Sequence, residues 1–132
     1  MKDIDNLART VWGEARGDGR EGMQAVANVV MNRVRAGKWF SGTVSAVVRM
    51  PWQFSIWNAG DPNRAKIEAA NENTPGFLDA VEISARAMRG DLPDITNGAT
   101  HYHAVTIQPP DWTQGATETA RIGGHVFYKG VA

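Results

Sequence analysis

Glu14 follows Val11, Trp12 and Gly13 and precedes a glycine-rich exit at Gly17 and Gly19. A carboxyl at a helix end, beside an indole, can project into a cleft whose apolar wall disfavours its charged form. That raises the pKa toward the range of a general acid at neutral pH, able to protonate the oxygen of a glycosidic bond. The same residue also reads as a solvated helix glutamate, or as one paired with Arg16 or Arg20. A two-carboxylate reaction needs a second acidic group about 5–10 Å away. Asp18 and Glu21 are the nearest in sequence, yet both suit the turn and first turn of a following helix, where negative charge is stabilising. Glu68, Glu72, Asp79 and Glu82 fall on amphipathic stretches and are expected in solvent.

A second group is histidine. His101 and His103 are two apart in an alternating stretch, hence on one strand face, with Tyr102 on the other. Joined by His125 they could form a three-His zinc site, the chemistry of a metal-dependent amidase or peptidase. The helix signature H-E-x-x-H is absent, and only Asp94 and Asp111 stand out as supporting carboxylates. A third group is polar and aromatic. Gln53, Phe54 and Ser55 sit in a loop with Trp52 and Trp57, where an amide, a hydroxyl and aromatic faces could hold a sugar; Trp112 offers another such face. Core packing is the competing reading for Phe54 and for each Trp. Asn28, Asn32 and Arg33 are polar positions in an apolar helix, either supporting Glu14 or bridging helices.

The elements that position these groups follow from periodicity. Ile4, Leu7, Ala8 and Val11 recur at helical spacing, so a first helix runs to about Ala15, with Glu14 in its last turn. A second helix over 20–35 carries Met23, Val26, Ala27, Val30 and Val34 on one side, widened by Val29, and Gly37 closes it. Thr43 caps a short helix over 44–49 that Pro51 ends, and the segment 51–63 reads as an ordered loop. Helices are expected over 63–72 and 77–89, the latter with Thr74 as cap, Pro75 at its first position and Gly90 at its end. The stretches 99–105 and 125–130 alternate and are rich in β-branched and aromatic residues, predicting a small antiparallel sheet. The expectation is a single domain over 1–132 of α+β class, mostly helical with a small C-terminal sheet.

Composition narrows the function classes. The absence of cysteine removes thiol nucleophiles, disulfides and thiolate zinc sites. Residues 1–66 hold ten Lys/Arg against six Asp/Glu and residues 67–132 hold four against eight, so a formally neutral chain is dipolar. Its cations are spread along helices without the aromatic-interleaved stripe of a nucleic-acid binder. The opening stretch is interrupted by Asp3, Asp5 and Glu14, with no secretory signal visible and no segment of transmembrane length. The expectation is synthesis in the cytoplasm, no stable membrane insertion, and release through lysis or an export partner.

The strings W-G-E-A-R-G at 12–17 and E-G-M-Q-A-V-A-N-V-V-M-N-R-V at 21–34 resemble the signature of the SleB-like cell-wall hydrolases, which include spore-cortex-lytic enzymes and related hydrolases of phages and gene-transfer particles. The resemblance continues, in order, through V-S-A-V-V at 44–48, Q-F-S at 53–55, A-R-A-M-R-G at 85–90, N-G-A-T-H-Y-H-A at 97–104 and I-G-G-H-V-F-Y at 122–128. It implies a fold similar to lysozyme-like lytic transglycosylases, no cofactor, and Glu14 as the catalytic acid. It further implies cleavage of the peptidoglycan glycan backbone between N-acetylmuramic acid and N-acetylglucosamine, by hydrolysis or with closure to a 1,6-anhydromuramyl end. Gln53, Phe54, Ser55, His101, Tyr102, His103 and Trp112 are then expected to bind substrate. Two other readings stay open: the zinc amidase on His101, His103 and His125, and a non-catalytic module whose groove only binds the wall.

Overall fold

The computed structural model describes residues 2–37, 43–49 and 54–132. Its helices are α1 (Lys2–Ala15), α2 (Gly19–Ala36), α3 (Val44–Arg49), α4 (Pro62–Ala69) and α5 (Phe77–Arg89); its strands are β1 (His101–Ala104), β2 (Thr117–Ile122) and β3 (His125–Lys129). A helical body with a small antiparallel sheet is the α+β architecture expected. None of the described helices is long and apolar enough to cross a membrane.

α2 is the centre because it is apolar on two sides. Met23, Val26, Ala27 and Val30 join Leu7, Val11, Val47, Ile67, Ala80 and Ile83 in the helical core. Ala25 and Val29, both 0% exposed, turn instead to the sheet and pack with Ile122 and Phe127. Full burial of a side chain such as Val29, Ile122 or Phe127 is worth about 1.5–3 kcal/mol, so this small second cluster is what docks the sheet.

Local chemistry explains most boundaries. The Thr43 hydroxyl accepts the Ala46 N–H at 3.3 Å, capping α3, and Gly37 closes α2 in the left-handed region. Pro51 lies outside the described residues. α4 ends at Ala69, earlier than the periodicity suggests, because Arg9 Nη1 donates to the carbonyls of Ile67, Glu68 and Ala70 at 2.6, 3.2 and 2.9 Å. The expected cap of α5 is corrected: the Thr74 hydroxyl faces backward and accepts the Asn71 N–H at 3.0 Å. The helix starts after Gly76, whose φ of +84° reverses the chain there. Gly90 ends α5 as expected.

The sheet has strand order β1-β3-β2, antiparallel throughout, with Tyr102 opposite Phe127 and His103 opposite Val126. β2, which alternation did not reveal, is an edge strand with a register irregularity between Glu118 and Ala120.

Candidate active site

Glu14 occupies the last turn of α1 and is partly buried. Gly13 permits the setting, since a Cβ there would lie 2.7 Å from Ile67 Cγ2 and 2.8 Å from Ile56 Cδ1. The missing side chain lets α4 and the 55–57 turn close on α1 beside the acid. The indole of Trp12 is not the wall of the site. At about 100° per residue, positions 12 and 14 face opposite ways, and Trp12 instead donates to the Pro75 carbonyl at 2.9 Å and packs edge-on to Phe77. Neither Arg16 nor Arg20 pairs with Glu14: Arg16 lies over the Trp12 ring, and Arg20 binds Asp79 and Glu82.

What meets Glu14 is the sheet. The Tyr102 hydroxyl donates to Glu14 Oε1. Burial raises the Glu14 carboxyl above the ordinary carboxylate range, Asp61 adding to it, while the Tyr102 hydrogen bond and the charges of His125 and Arg33 pull downward. Tyr102 is itself driven well above the usual phenol range, first by burial and then by the Glu14 charge, so it remains a donor. Arg33 is 5% exposed, donates Nε to the Thr100 carbonyl at 2.7 Å, and lies over the Phe54 ring at 5.0 Å. Burial depresses its guanidinium to about 10, leaving it a cation at neutral pH.

The faces of the sheet are divided. Tyr102, His125 and Phe127 share the inner face, with Tyr102 and His125 rings 5.0 Å apart at 90°. His101 and His103 share the outer face with Tyr128 and Trp112: His103 stacks on Tyr128 at 5.4 Å, and Trp112 lies 5.3 Å from His101. Strand alternation sets His101, His103 and Trp112 on the side of the sheet opposite Glu14, toward which Tyr102 points. His103 is 7% exposed. Burial, then Arg33, lowers His101 to about 4. The three-His zinc site is not assembled, since His125 is on the other face. No group of three or more His, Cys, Asp or Glu among the described residues is arranged to hold a metal.

The aromatic loop is corrected in part. Phe54 is 2% exposed and belongs to the core, where its ring floors Arg33 rather than a sugar. Trp57 is 6% exposed and donates Nε1 to Thr10 Oγ1 at 2.7 Å. Trp52 and Gln53 lie outside the described residues, and of Ser55 only the backbone is described. Asn28 and Asn32 bridge: Asn28 donates to the Pro93 carbonyl at 3.1 Å and accepts the Ile95 N–H at 3.0 Å, and Asn32 donates to the Ala99 carbonyl at 2.8 Å. Glu21 is exposed in the first turn of α2. Asp18, by contrast, binds His125 Nδ1 at 3.2 Å.

The same architecture, helical body and small sheet, occurs in the catalytic domain of the Bacillus cereus SleB protein, with a TM-score of 0.77 and 29% identity over 97% of this chain and 90% of that one. The catalytic domain of the germination-specific lytic transglycosylase SleB from Bacillus anthracis matches with a TM-score of 0.76 and 30% identity, over 98% and 95% of the two chains. Residues 17–128 match the family model of the cell wall hydrolases, and the chain belongs to that family. The matched stretch contains Asp18, Arg33, Tyr102 and His125 and begins just after Glu14. The spore cortex-lytic enzyme of Bacillus subtilis is 31% identical over 95% of this chain, and that of Halalkalibacterium halodurans 32% over 95%. The chain spans 37% and 34% of the length of these two relatives.

Proposed function

We propose that this chain is a peptidoglycan glycosidase that cleaves the N-acetylmuramic acid to N-acetylglucosamine bond as a lytic transglycosylase, with Glu14 as its single acid and base. The observation that carries this reading is the Glu14–Tyr102 pair, a desolvated carboxyl fixed at one oxygen by a phenol from the facing strand. With Oε1 engaged, Oε2 is left to hold the proton. Oε2–H protonates the leaving glycosidic oxygen as the bond from C1 breaks and positive charge spreads over C1 and the ring oxygen. The C6 hydroxyl of the same sugar then attacks C1, and its proton returns to the Glu14 carboxylate. The buried Arg33 cation lies close enough to favour that carboxylate while it exists.

Closure on C6 needs no second carboxylate, and the two acidic side chains near the site have other engagements. Asp18 is paired with His125, and Asp61 caps α4 by accepting the Asn63 N–H at 2.8 Å. The names of the relatives, spore cortex-lytic enzymes and a lytic transglycosylase, agree with this chemistry. Peptidoglycan glycan strands are thus the proposed substrate. Delivery to the wall by a lysis or export partner, after synthesis in the cytoplasm, belongs to the same proposal.

Mass spectrometry of the soluble products from purified sacculi tests it. Wild type should release 1,6-anhydromuramyl ends, Glu14→Gln none, and EDTA should change neither result. Reducing ends would make the protein a hydrolase; intact glycan with released peptides, lost on chelation, would make it a metal amidase.

A further inference from the structure

Asp18 is held more tightly than a turn residue requires. A Cβ on Gly22 of α2 would lie 2.3 Å from the Asp18 Cβ, and one on Gly123 of the β2–β3 turn 2.8 Å from its Cγ. Two backbones, from the helical body and from the sheet, therefore close on this side chain, and only glycine leaves room for them. The Gly123 φ of +57° adds a second reason for glycine at that position. Between them Asp18 Oδ2 meets His125 Nδ1 at 3.2 Å, with the two side chains 23% and 19% exposed. The His125 ring stands edge-on to Tyr102, whose hydroxyl is bound to Glu14. A line of contacts thus runs from the start of α2, through the sheet, to the oxygen of the acid.

We infer that Asp18 and His125 are positioning residues of this site: Asp18 fixes the His125 ring against Tyr102, and His125 in turn holds the Tyr102 hydroxyl on Glu14 Oε1. The inference rests on the glycosidase reading of Glu14. Geometry supplies the reason for the arrangement. A tyrosine has two side-chain torsions, and the strand alone does not fix where its hydroxyl ends; Phe127, at 5.4 Å and 33°, and His125, at 5.0 Å and 90°, brace the ring from two directions. His125 also contributes electrostatically. The groups facing Glu14 are Tyr102 from β1, His125 from β3, Arg33 from α2 and Asp61 before α4, and of these Tyr102, His125 and Arg33 favour the Glu14 carboxylate. Asp18 in turn faces Tyr102.

The test is a mutant cycle on release of soluble fragments from purified sacculi, with kcat, KM and the pH profile measured for His125→Gln, Asp18→Asn, Tyr102→Phe and the pairs with Tyr102→Phe. Small misplacements of a catalytic group cost up to about 100-fold, so His125→Gln should lose about tenfold in kcat with KM little changed. Its alkaline limb should move to higher pH, since a displaced Tyr102 hydroxyl gives up the hydrogen bond that favours the Glu14 carboxylate. Added to Tyr102→Phe, neither substitution should cost much more, because residues acting through one partner are not additive. Full additivity, or wild-type kcat with an unmoved limb, overturns the inference. A loss from Asp18→Asn as deep as that of Glu14→Gln overturns it as well, and makes Asp18 a second catalytic carboxylate. If His125→Gln melts below the assay temperature, the isosteric Asp18→Asn carries the cycle. Glu14→Gln run alongside separates the two levels: activity there defeats the glycosidase reading itself, whereas an inactive Glu14→Gln beside unaffected Asp18 and His125 variants defeats only the positioning roles.

Discussion

In the proposed mechanism Glu14 holds a proton in the resting site and loses it during the reaction, and its surroundings are divided to match. Burial favours the neutral acid, while Tyr102, His125 and Arg33 favour the carboxylate. The reaction starts from the acid, so activity should fall as pH rises through the raised Glu14 pKa; a profile flat well into the alkaline range would remove Glu14 from the role of acid. Tyr102→Phe deletes a group that favours the charged form, so the alkaline limb should shift upward in pH while kcat drops. Stability carries the same signature with its own sign. A carboxyl whose folded pKa lies above its unfolded value adds stability at low pH and loses it as pH rises through the folded pKa. Glu14→Gln, always neutral, escapes that loss. Its Tm should exceed that of wild type at pH 8, with the difference shrinking toward pH 4, as differential scanning calorimetry at the two pH values would record.

At the scale of elements, the acid depends on how closely α4 and the 55–57 turn approach α1. Gly13→Ala places a methyl 2.7 Å from Ile67 Cγ2 and 2.8 Å from Ile56 Cδ1. Overpacking of this kind costs about 1–3 kcal/mol, against a helix-propensity gain of about 1 kcal/mol. Urea denaturation should show a net loss of order 1 kcal/mol, and a gain would mean that the isoleucines move aside freely. Asn28→Ala leaves the half-buried Ile95 N–H without its partner, while the Pro93 carbonyl keeps Gln24 Nε2 at 2.8 Å, a loss of about 1 kcal/mol by the same assay. Much of this layer was legible in the sequence. Periodicity located α1 and α2, the Thr43 cap and the Pro51 stop located α3, and glycines located the ends of α2 and α5, because those signals are local. β2 was missed because T-E-T-A-R-I is an edge strand, polar at most positions, whose irregularity at Glu118/Ala120 spoils the two-residue period. The face of His101 and His103 was illegible for a different reason. Alternation says that they share a side, but only the docking of Tyr102 against α1 says which. Asp18 read as a turn residue because its partner is distant in sequence and comes from a hairpin.

For the molecule as a whole, the site lies where two bodies meet. Glu14 and Arg33 come from the helices, Tyr102 and His125 from the sheet, and the joint is the cluster of Ala25, Val29, Ala99, Ile122 and Phe127, with Tyr102 touching both this cluster and the helical core. The helical core is the larger of the two and does not include β2 or β3. Activity requires that both bodies be folded and also that they stay in register, whereas the helical signal requires only the first. Phe127 is the largest fully buried side chain of the joint, at 1% exposure. Phe127→Ala, costing about 3–5 kcal/mol at a well-packed site, should therefore loosen the sheet before it unfolds the helices. Heated in parallel, wild type should lose glycan-cleaving activity and the 222 nm helical signal together. Phe127→Ala should lose activity at a clearly lower temperature than the helical signal, with Tyr and Trp near-ultraviolet dichroism following the activity. Coincident melting of all three signals in the variant would mean that sheet and helices fold as one cooperative unit, and that the acid and its tyrosine cannot be separated short of global unfolding.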